Sequence, residues 1–273
     1  MTVEVTFWGV RGSFPCATLH HMKYGGNTSC VTFETPNTTV VLDAGTGLFM
    51  LGKNLMKRGV KSATLLLSHS HTDHIIGFPF FAPAWVGSFA LTIMAGHLSD
   101  NGGVREIFEV AMRDPVFPVK LADMGGATRF LDFKAGESFP LGTDVTVRTA
   151  PLNHPNGATA YRLEAQGKAM CYVTDTEHVP GKPDQNVLNL IRGADLVVYD
   201  STYTDDEFPK KVGWGHSTWQ EGVRLCRAAG AQRLAVFHHD PDHMDDFMDR
   251  VDDDARHVWD HAFVAREGMV IPL

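Results

Sequence analysis

From residue 65 to 81 the chain reads LLLSHSHTDHIIGFPFF, which places His69, His71, Asp73 and His74 within six positions, directly behind an apolar run. Imidazole is the commonest side-chain ligand for transition metals, and carboxylate oxygen is the other group a borderline divalent ion accepts. In an extended or turning segment, residues two apart share a side, so His69 and His71 face together. Asp73 and His74 can then diverge towards a second position. The spacing therefore favours two adjacent metal ions over one ion holding all four groups. A run of surface histidines without a function is the competing reading. Four ligand-type residues packed so closely behind an apolar strand argue against it.

A site for two ions needs more ligands than one loop provides. Three further residues stand at the ends of expected strands: His154 in APLNHPNG, Asp175 in CYVTDTEH and His238 in AVFHHDPDH. His239 is the alternative to His238 if the register moves by one. Taken singly, each histidine reads equally well as a structural hydrogen-bonding residue, and the aspartate as a turn cap. Their common placement after strands is what makes them candidates.

The elements that would deliver these residues can be read from periodicity and turn chemistry. VEVTFWGV, CVTFET, TTVVLDAG, ATLLLS and LTIMAG predict strands in the first part of the chain. GTGLFMLGKNLMKRG predicts a helix ending at Gly59, with Leu48, Leu51, Leu55 and Met56 on one face. GGVREIFEVAMRD predicts an amphipathic helix through Val104, Ile107, Phe108 and Ala111, stopped by Pro115. Later, DVTVRTAPLNH, ATAYRLEAQ and AMCYVTDTE predict strands, the last two joined by a tight turn at Gly167. ADLVVYDSTY and RLAVFHHD are further strands, with STWQEGVRLCRAAG a helix closed by Gly230. Two similar αβ halves, each placing ligand-type residues just after strands, suggest a single domain over residues 1–273 with an internal pseudo-repeat. Loops at strand ends can vary without disturbing a core, which is why layered α/β enzymes gather their sites there.

Bulk properties narrow the setting. The chain has 273 residues, 44% of them hydrophobic, and four widely spaced cysteines without a CxxC pair. That pattern gives neither a disulfide framework nor a thiolate zinc cluster and fits a reducing compartment. No basic-then-apolar leader opens the sequence, and no stretch approaches the roughly 20 apolar residues that span a bilayer. A cytoplasmic location without membrane contact is expected. The formal net charge is −8, and DPDHMDDFMDRVDDDARHVWDH near the C-terminus is strongly acidic. Nucleic-acid binders carry basic patches that displace counterions from phosphates, so no long nucleic acid is expected as a partner. A homodimer is possible, with no surface in the sequence to specify it.

The ordered set HxHxDH, His154, Asp175 and His238 resembles the metallo-β-lactamase-fold hydrolases. GVRGS, YGGNTSC and LDAG extend the resemblance over nearly the whole chain. The fold it implies is α/β, an αββα sandwich of two mixed sheets flanked by helices, with the site at their shared edge. Carried over by that resemblance, His69, His71 and His154 would hold one metal and Asp73, His74 and His238 the other, with Asp175 bridging. Asp43 in VVLDAG resembles the aspartate that orients ligands from behind, although a plain turn aspartate fits the residue nearly as well. GHST before a helix resembles the His-Ser-Thr motif of the ribonuclease Z-like and cyclic-nucleotide phosphodiesterase-like branch. This implies that His216 approaches the substrate phosphate, with Asp200 replacing the more usual glutamate partner. A histidine beside a Ser217 helix cap is the alternative. Asp73 and His216 are the expected catalytic residues.

Two divalent ions roughly 3.5–4 Å apart can clamp the attacking and leaving oxygens of an in-line displacement, and metal-bound water loses its proton near neutral pH. The expected function is a dinuclear metal-dependent phosphodiesterase in which metal-bound hydroxide cleaves a small nucleotide-like diester, a cyclic nucleotide being one candidate. Zinc is the favoured ion, with manganese or iron alternatives. A thioester or lactone hydrolase and a non-catalytic metal-binding protein of the same fold are the competing functions. Lys210, Lys211 and Arg11 are candidates to meet phosphate, and Trp214, Phe78 and Phe81 to stack on a base. The segment around residues 97–126, mixed in charge, offers no basic arm, and His20 and His21 are placed near the mouth of the site. His97, His178, His243, His257 and His261 read as surface or structural residues.

Overall fold

Strand β1 (Glu4–Gly9) buries Val5, Phe7 and Gly9 and leaves Glu4 exposed, as an alternating half-buried strand must. It belongs to a computed structural model that describes residues 3–98 and 102–273. β1 pairs antiparallel with β2 (Cys30–Glu34), which pairs antiparallel with β3 (Thr39–Leu42). From there the sheet continues in parallel through β4 (Ser62–Leu67), β5 (Ala90–Ala95) and β6 (Ala127–Asp132).

The second sheet mirrors that plan. β7 (Ser138–Leu141), β8 (Val145–Leu152), β9 (Ala158–Ala165) and β10 (Lys168–Val173) form an antiparallel meander. β11 (Leu196–Asp200), β12 (Leu234–Phe237) and β13 (Ala262–Val264) then extend it in parallel from β10. β14 (Val270–Pro272) returns to the first sheet beside β1. Each sheet thus contains a parallel half, the structural form of the pseudo-repeat, and the central strands LVVY and LAVF are apolar throughout because both faces are covered.

Helices supply the outer layers. α1 (Leu48–Arg58) and α3 (Val104–Ala111) cover the first sheet, with Leu48, Leu51, Leu55 and Phe108 in its outer core. α2 (Thr72–Ile75) is a single turn after β4. α4 (Gln185–Ile191), α5 (Trp219–Ala229) and α6 (Asp245–Val258) cover the second sheet through Val187, Val223 and Met248. Between the sheets lies the central core, where Phe237 packs near Phe7 and Tyr172 with ring centroids 6.1 and 5.6 Å apart. This is the expected αββα sandwich. No described helix is long and apolar enough to cross a membrane.

Gly59 and Gly230 close α1 and α5 in the left-handed conformation, as the sequence predicts. Met56 differs from its predicted packing role and is 40% exposed, at the margin of the α1 stripe. Strands β6, β7, β13 and β14 have short or interrupted apolar patterns and are not evident from sequence. Residues 99–101 of the 97–126 segment lie outside the described residues.

Polar cross-links fasten the two sheets at the C-terminal ends of β3 and β4. Tyr161 and Tyr172, on β9 and β10, donate their hydroxyls to the Leu67 carbonyl and to Asp43 Oδ2, at 2.5 and 2.9 Å. The Thr159 amide donates to the Ser68 carbonyl at 2.8 Å. Each is buried, so losing it would leave an unsatisfied group. Phe237→Ala, which empties the inter-sheet core beside these links, should lower unfolding free energy by about 3–5 kcal/mol in urea denaturation. A loss under about 1 kcal/mol would mean that the sheets do not depend on this packing.

Candidate metal centre

The chain turns abruptly at three strand ends to form the site. Asp43 after β3, Asp175 after β10 and His238 after β12 have φ of 61°, 57° and 63°. Left-handed backbone costs a non-glycine residue on the order of 1–2 kcal/mol, and such conformations persist where the surroundings fix them. The fourth turn follows β4, where the chain bends at Ser68 and His71 is extended at the start of α2. β8 ends two residues before His154.

Behind the site, hydrogen bonds assign the imidazole tautomers. His74 Nδ1–H donates to Asp43 Oδ2 at 2.7 Å, and His154 Nδ1–H donates to the Gly215 carbonyl at 2.8 Å. Ser68 gives its hydroxyl proton to Asp43 Oδ2, so its oxygen accepts from His69 Nδ1–H at 3.1 Å. Thr202 gives its proton to Asp200 Oδ1, so it accepts from His238 Nδ1–H at 3.0 Å. Each of these four rings therefore presents an Nε2 lone pair forwards. Buried His69 Nε2 has no hydrogen-bond partner among the described residues. Glycine is required behind two of the rings: a Cβ at Gly12 would lie 2.4 Å from His238 Nδ1, and one at Gly215 2.5 Å from His154 Nδ1.

The forward-facing atoms gather into two groups that share Asp175. In one, His74 Nε2 lies 3.2 Å from Asp73 Oδ2, 3.2 Å from Asp175 Oδ1 and 3.3 Å from His238 Nε2. His238 Nε2 is 3.4 and 3.3 Å from the same two carboxylate oxygens. In the other, Asp175 Oδ2 is 3.5 Å from His69 Nε2 and 3.8 Å from His154 Nε2, while His71 Nδ1 is 3.1 Å from His154 Nε2. Zinc bonds of about 2.0–2.1 Å in a tetrahedron set donor atoms roughly 3.3–3.4 Å apart. The donor set thus fits a divalent cation in each group. Acceptors at these separations repel unless a cation or a proton lies between them.

The electrostatics follow from that crowding. Burial alone would lower the His74 pKa, but Asp73, Asp175 and Asp43 together raise it well above the usual range. Burial likewise works against the Asp175 anion, yet His238, His74 and His69 hold its pKa well below the usual carboxylate range. Asp73 follows the same pattern: burial opposes its charge, and His74 with His238 outweighs that. Ser13 N–H adds a hydrogen bond to Asp73 Oδ2 at 2.8 Å. His69 is driven well below its ordinary value by burial and by His74.

His216 stands beside this cluster, its Nδ1 3.1 Å from Asp200 Oδ2 and 3.8 Å from Asp175 Oδ2. Burial would lower its pKa, but Asp200 and then Asp175 and Asp73 raise it to about 9. Asp200 is itself saturated, accepting from the Thr176 and Thr202 amides and the Thr202 hydroxyl. It supports His216 directly and His238 through Thr202. Thr218, not Ser217, caps α5, and Ser217 hydrogen-bonds Tyr199 and His178 instead.

The residues singled out from sequence fall into two sets. His69, His71, Asp73, His74, His154, Asp175 and His238 converge, with Asp43 behind them and His216 beside them. His239 points away, its Nε2 2.8 Å from the Ala265 carbonyl. Arg11 is fully buried and is a structural clamp on the carbonyls of Gly25, Asp240 and His243, so it is not placed to meet phosphate. Phe78 and Phe81 are core residues, whereas Trp214 is 60% exposed. His21 is buried between Thr18 and the Pro241 carbonyl instead of lining a mouth. Sequence reasoning missed Ser68, Tyr172 and Thr202, whose ordinary residue types carry no signal until the strands are assembled.

Comparison with known proteins bears on the family and the fold. The profile described as Beta-lactamase superfamily domain matches residues 38–239. Ribonuclease Z of Haloarcula marismortui is 24% identical over 98% of this chain and 96% of its own. The metallo-beta-lactamase fold protein YhfI from Bacillus subtilis superposes with a TM-score of 0.76 at 22% identity, covering 99% of each chain. Human tRNase Z, short form, gives 0.68 at 19% identity over 98% of each. Relatives named for action on RNA and tRNA, matched end to end, overturn the expectation that a long nucleic acid is excluded as partner. That expectation rested on net charge, which sums the whole chain. Much of the acidic excess sits in α6 on the outer layer, and a total cannot report the field at one cleft.

Asp43→Asn keeps the shape of the residue but removes the anionic acceptor that orients His74. It should weaken zinc binding about 10–100-fold in chelator competition. Unchanged affinity would show that Asp43 is only a turn residue.

Proposed function

The chain belongs to the beta-lactamase superfamily, in its ribonuclease Z-like branch, and from that premise we propose that it hydrolyses nucleotide-type phosphodiesters with the help of two divalent cations. His69, His71 and His154 would hold one cation and Asp73, His74 and His238 the other, with Asp175 within reach of both. Imidazole with carboxylate suits zinc, and manganese or iron would enter the same donor set according to supply. When bound, the pair supplies an acidified water and a clamp on phosphoryl oxygens. The same reading takes residues 1–273 as one hydrolase domain.

The observation that carries the choice of phosphodiester chemistry is His216, paired with buried Asp200 and 3.8 Å from Asp175. A leaving alkoxide needs a proton, and Asp200 beside His216 favours the ring that carries one. Asp200 keeps the ring charged and fixes Nδ1, leaving Nε2 to deliver the proton. In this reading Asp73, which accepts the Ser13 amide, would also accept a hydrogen bond from the attacking water and aim it. A short diester and the diester of an RNA chain present the same reacting atoms, so this machinery serves either. A thioester would expel a thiolate, which leaves with less need of this acid.

His216→Ala should lower kcat for a dinucleotide, whose leaving group is an alkoxide, by about 10²–10⁴-fold. With bis(p-nitrophenyl) phosphate the loss should be much smaller, since p-nitrophenolate leaves without a proton. Because Asp200 favours the protonated ring, wild-type turnover of the dinucleotide should decline on the alkaline side of its pH profile, and the variant should lose that limb. Equal losses on both substrates would contradict the assignment. No turnover of either by zinc- or manganese-loaded protein would overturn the phosphodiesterase reading itself.

A further inference from the structure

Trp214 is a large apolar side chain left 60% exposed on a turn that is otherwise tightly built. Its neighbours Gly213 and Gly215 have φ of 90° and 85°, conformations that glycine adopts without strain. Both of their amides donate to a single acceptor, Glu177 Oε2, at 2.7 and 2.9 Å. The Trp214 amide donates to the Lys211 carbonyl at 3.1 Å. One residue further, the Gly215 carbonyl takes the His154 proton, and the next residue is His216. The indole is therefore presented by a clamped turn whose other end belongs to the reaction site.

A line of rings and charge joins the two. The Tyr203 ring meets His216 edge-on with centroids 6.0 Å apart. Lys211 Nζ lies 5.2 Å from the Tyr203 centroid and 4.5 Å from that of Trp214. The ammonium takes part of one indole face and enriches the rim in positive charge, while most of the ring remains open to solvent. Packing does not explain an exposed indole held this rigidly, and surface aromatics beside a site are the usual platform for another flat ring.

We propose that Trp214 is the platform on which a nucleobase of the substrate stacks, with Lys211 beside it attracting the adjoining phosphate. The inference rests on the nucleotide phosphodiester reading and deepens it: specificity for a nucleoside, as opposed to any diester, lies in this turn. Base–aromatic stacking tolerates all four bases, because each has a π-face, so the platform selects for a base without selecting among them.

The test uses AMP and ribose 5-phosphate, which share the phosphate and differ by the base. AMP should quench the intrinsic tryptophan fluorescence of the wild-type protein saturably, and ribose 5-phosphate should not. Trp214→Phe should lose that quench, which separates Trp214 from the other four tryptophans. Trp214→Ala should weaken AMP binding about 5- to 150-fold, the range for removal of one stacked base, and bring it close to that of ribose 5-phosphate. Matching thermal melts would show that the variants fold. Equal binding of the two ligands by wild type, or an undiminished quench in Trp214→Phe, would overturn the platform. Because binding is read without turnover, failure here is distinguishable from failure of the phosphodiesterase reading, which the diester assays decide.

Discussion

Lone pairs aimed at lone pairs are the constraint on which this structure depends. His74 Nε2 and His238 Nε2 face each other at 3.3 Å, with carboxylate oxygens of Asp73 and Asp175 at 3.2–3.4 Å from them. Buried acceptors without donors are among the costliest arrangements a protein can hold, and the low dielectric of the interior enlarges that cost. A proton on His74 relieves one of the two groups in part, which is why three carboxylates raise its pKa. Cations relieve both. The left-handed turns at Asp43, Asp175 and His238 and the tyrosine links between the sheets are intelligible as the scaffold that resists this repulsion.

The scaffold also explains how positioning and chemistry divide among residues of the same type. Asp175 faces forwards between the two groups, whereas Asp43 and Asp200 face backwards and spend their lone pairs on donors. His238 converges while its neighbour His239 is turned to the Ala265 carbonyl, because successive residues at a strand end point to opposite sides. His216 has a carboxylate behind its Nδ1, as His74 has in Asp43, whereas the Nδ1 atoms of His69, His154 and His238 face hydroxyl or carbonyl oxygens.

Much of this was legible from sequence, and the reasons for the rest are physical. HSHTDH behind LLLS announced the first part of the site because four ligand-type residues in six positions have few other uses. His154, Asp175 and His238 gained meaning only from lying at strand ends, a pattern visible once β8, β10 and β12 were recognised. Ser68, Thr202 and Tyr172 were invisible because their roles require partners 25 to 129 residues away. Arg11 misled for a related reason: an arginine in a Gly-rich loop looks solvated until three distant carbonyls are seen to enclose it. Exclusion of long nucleic acid failed because a net charge carries no positions. Strands β6, β7, β13 and β14 lie towards sheet edges, where partial exposure blurs the apolar alternation.

The central claim is that seven side chains converge on two neighbouring cations. Anomalous diffraction at the zinc absorption edge, from crystals of zinc-loaded protein, tests it most directly. Two peaks should appear roughly 3.5–4 Å apart, with His69, His71 and His154 around one, Asp73, His74 and His238 around the other, and Asp175 touching both. A single peak, or peaks held by other residues while these histidines turn apart, would contradict the account.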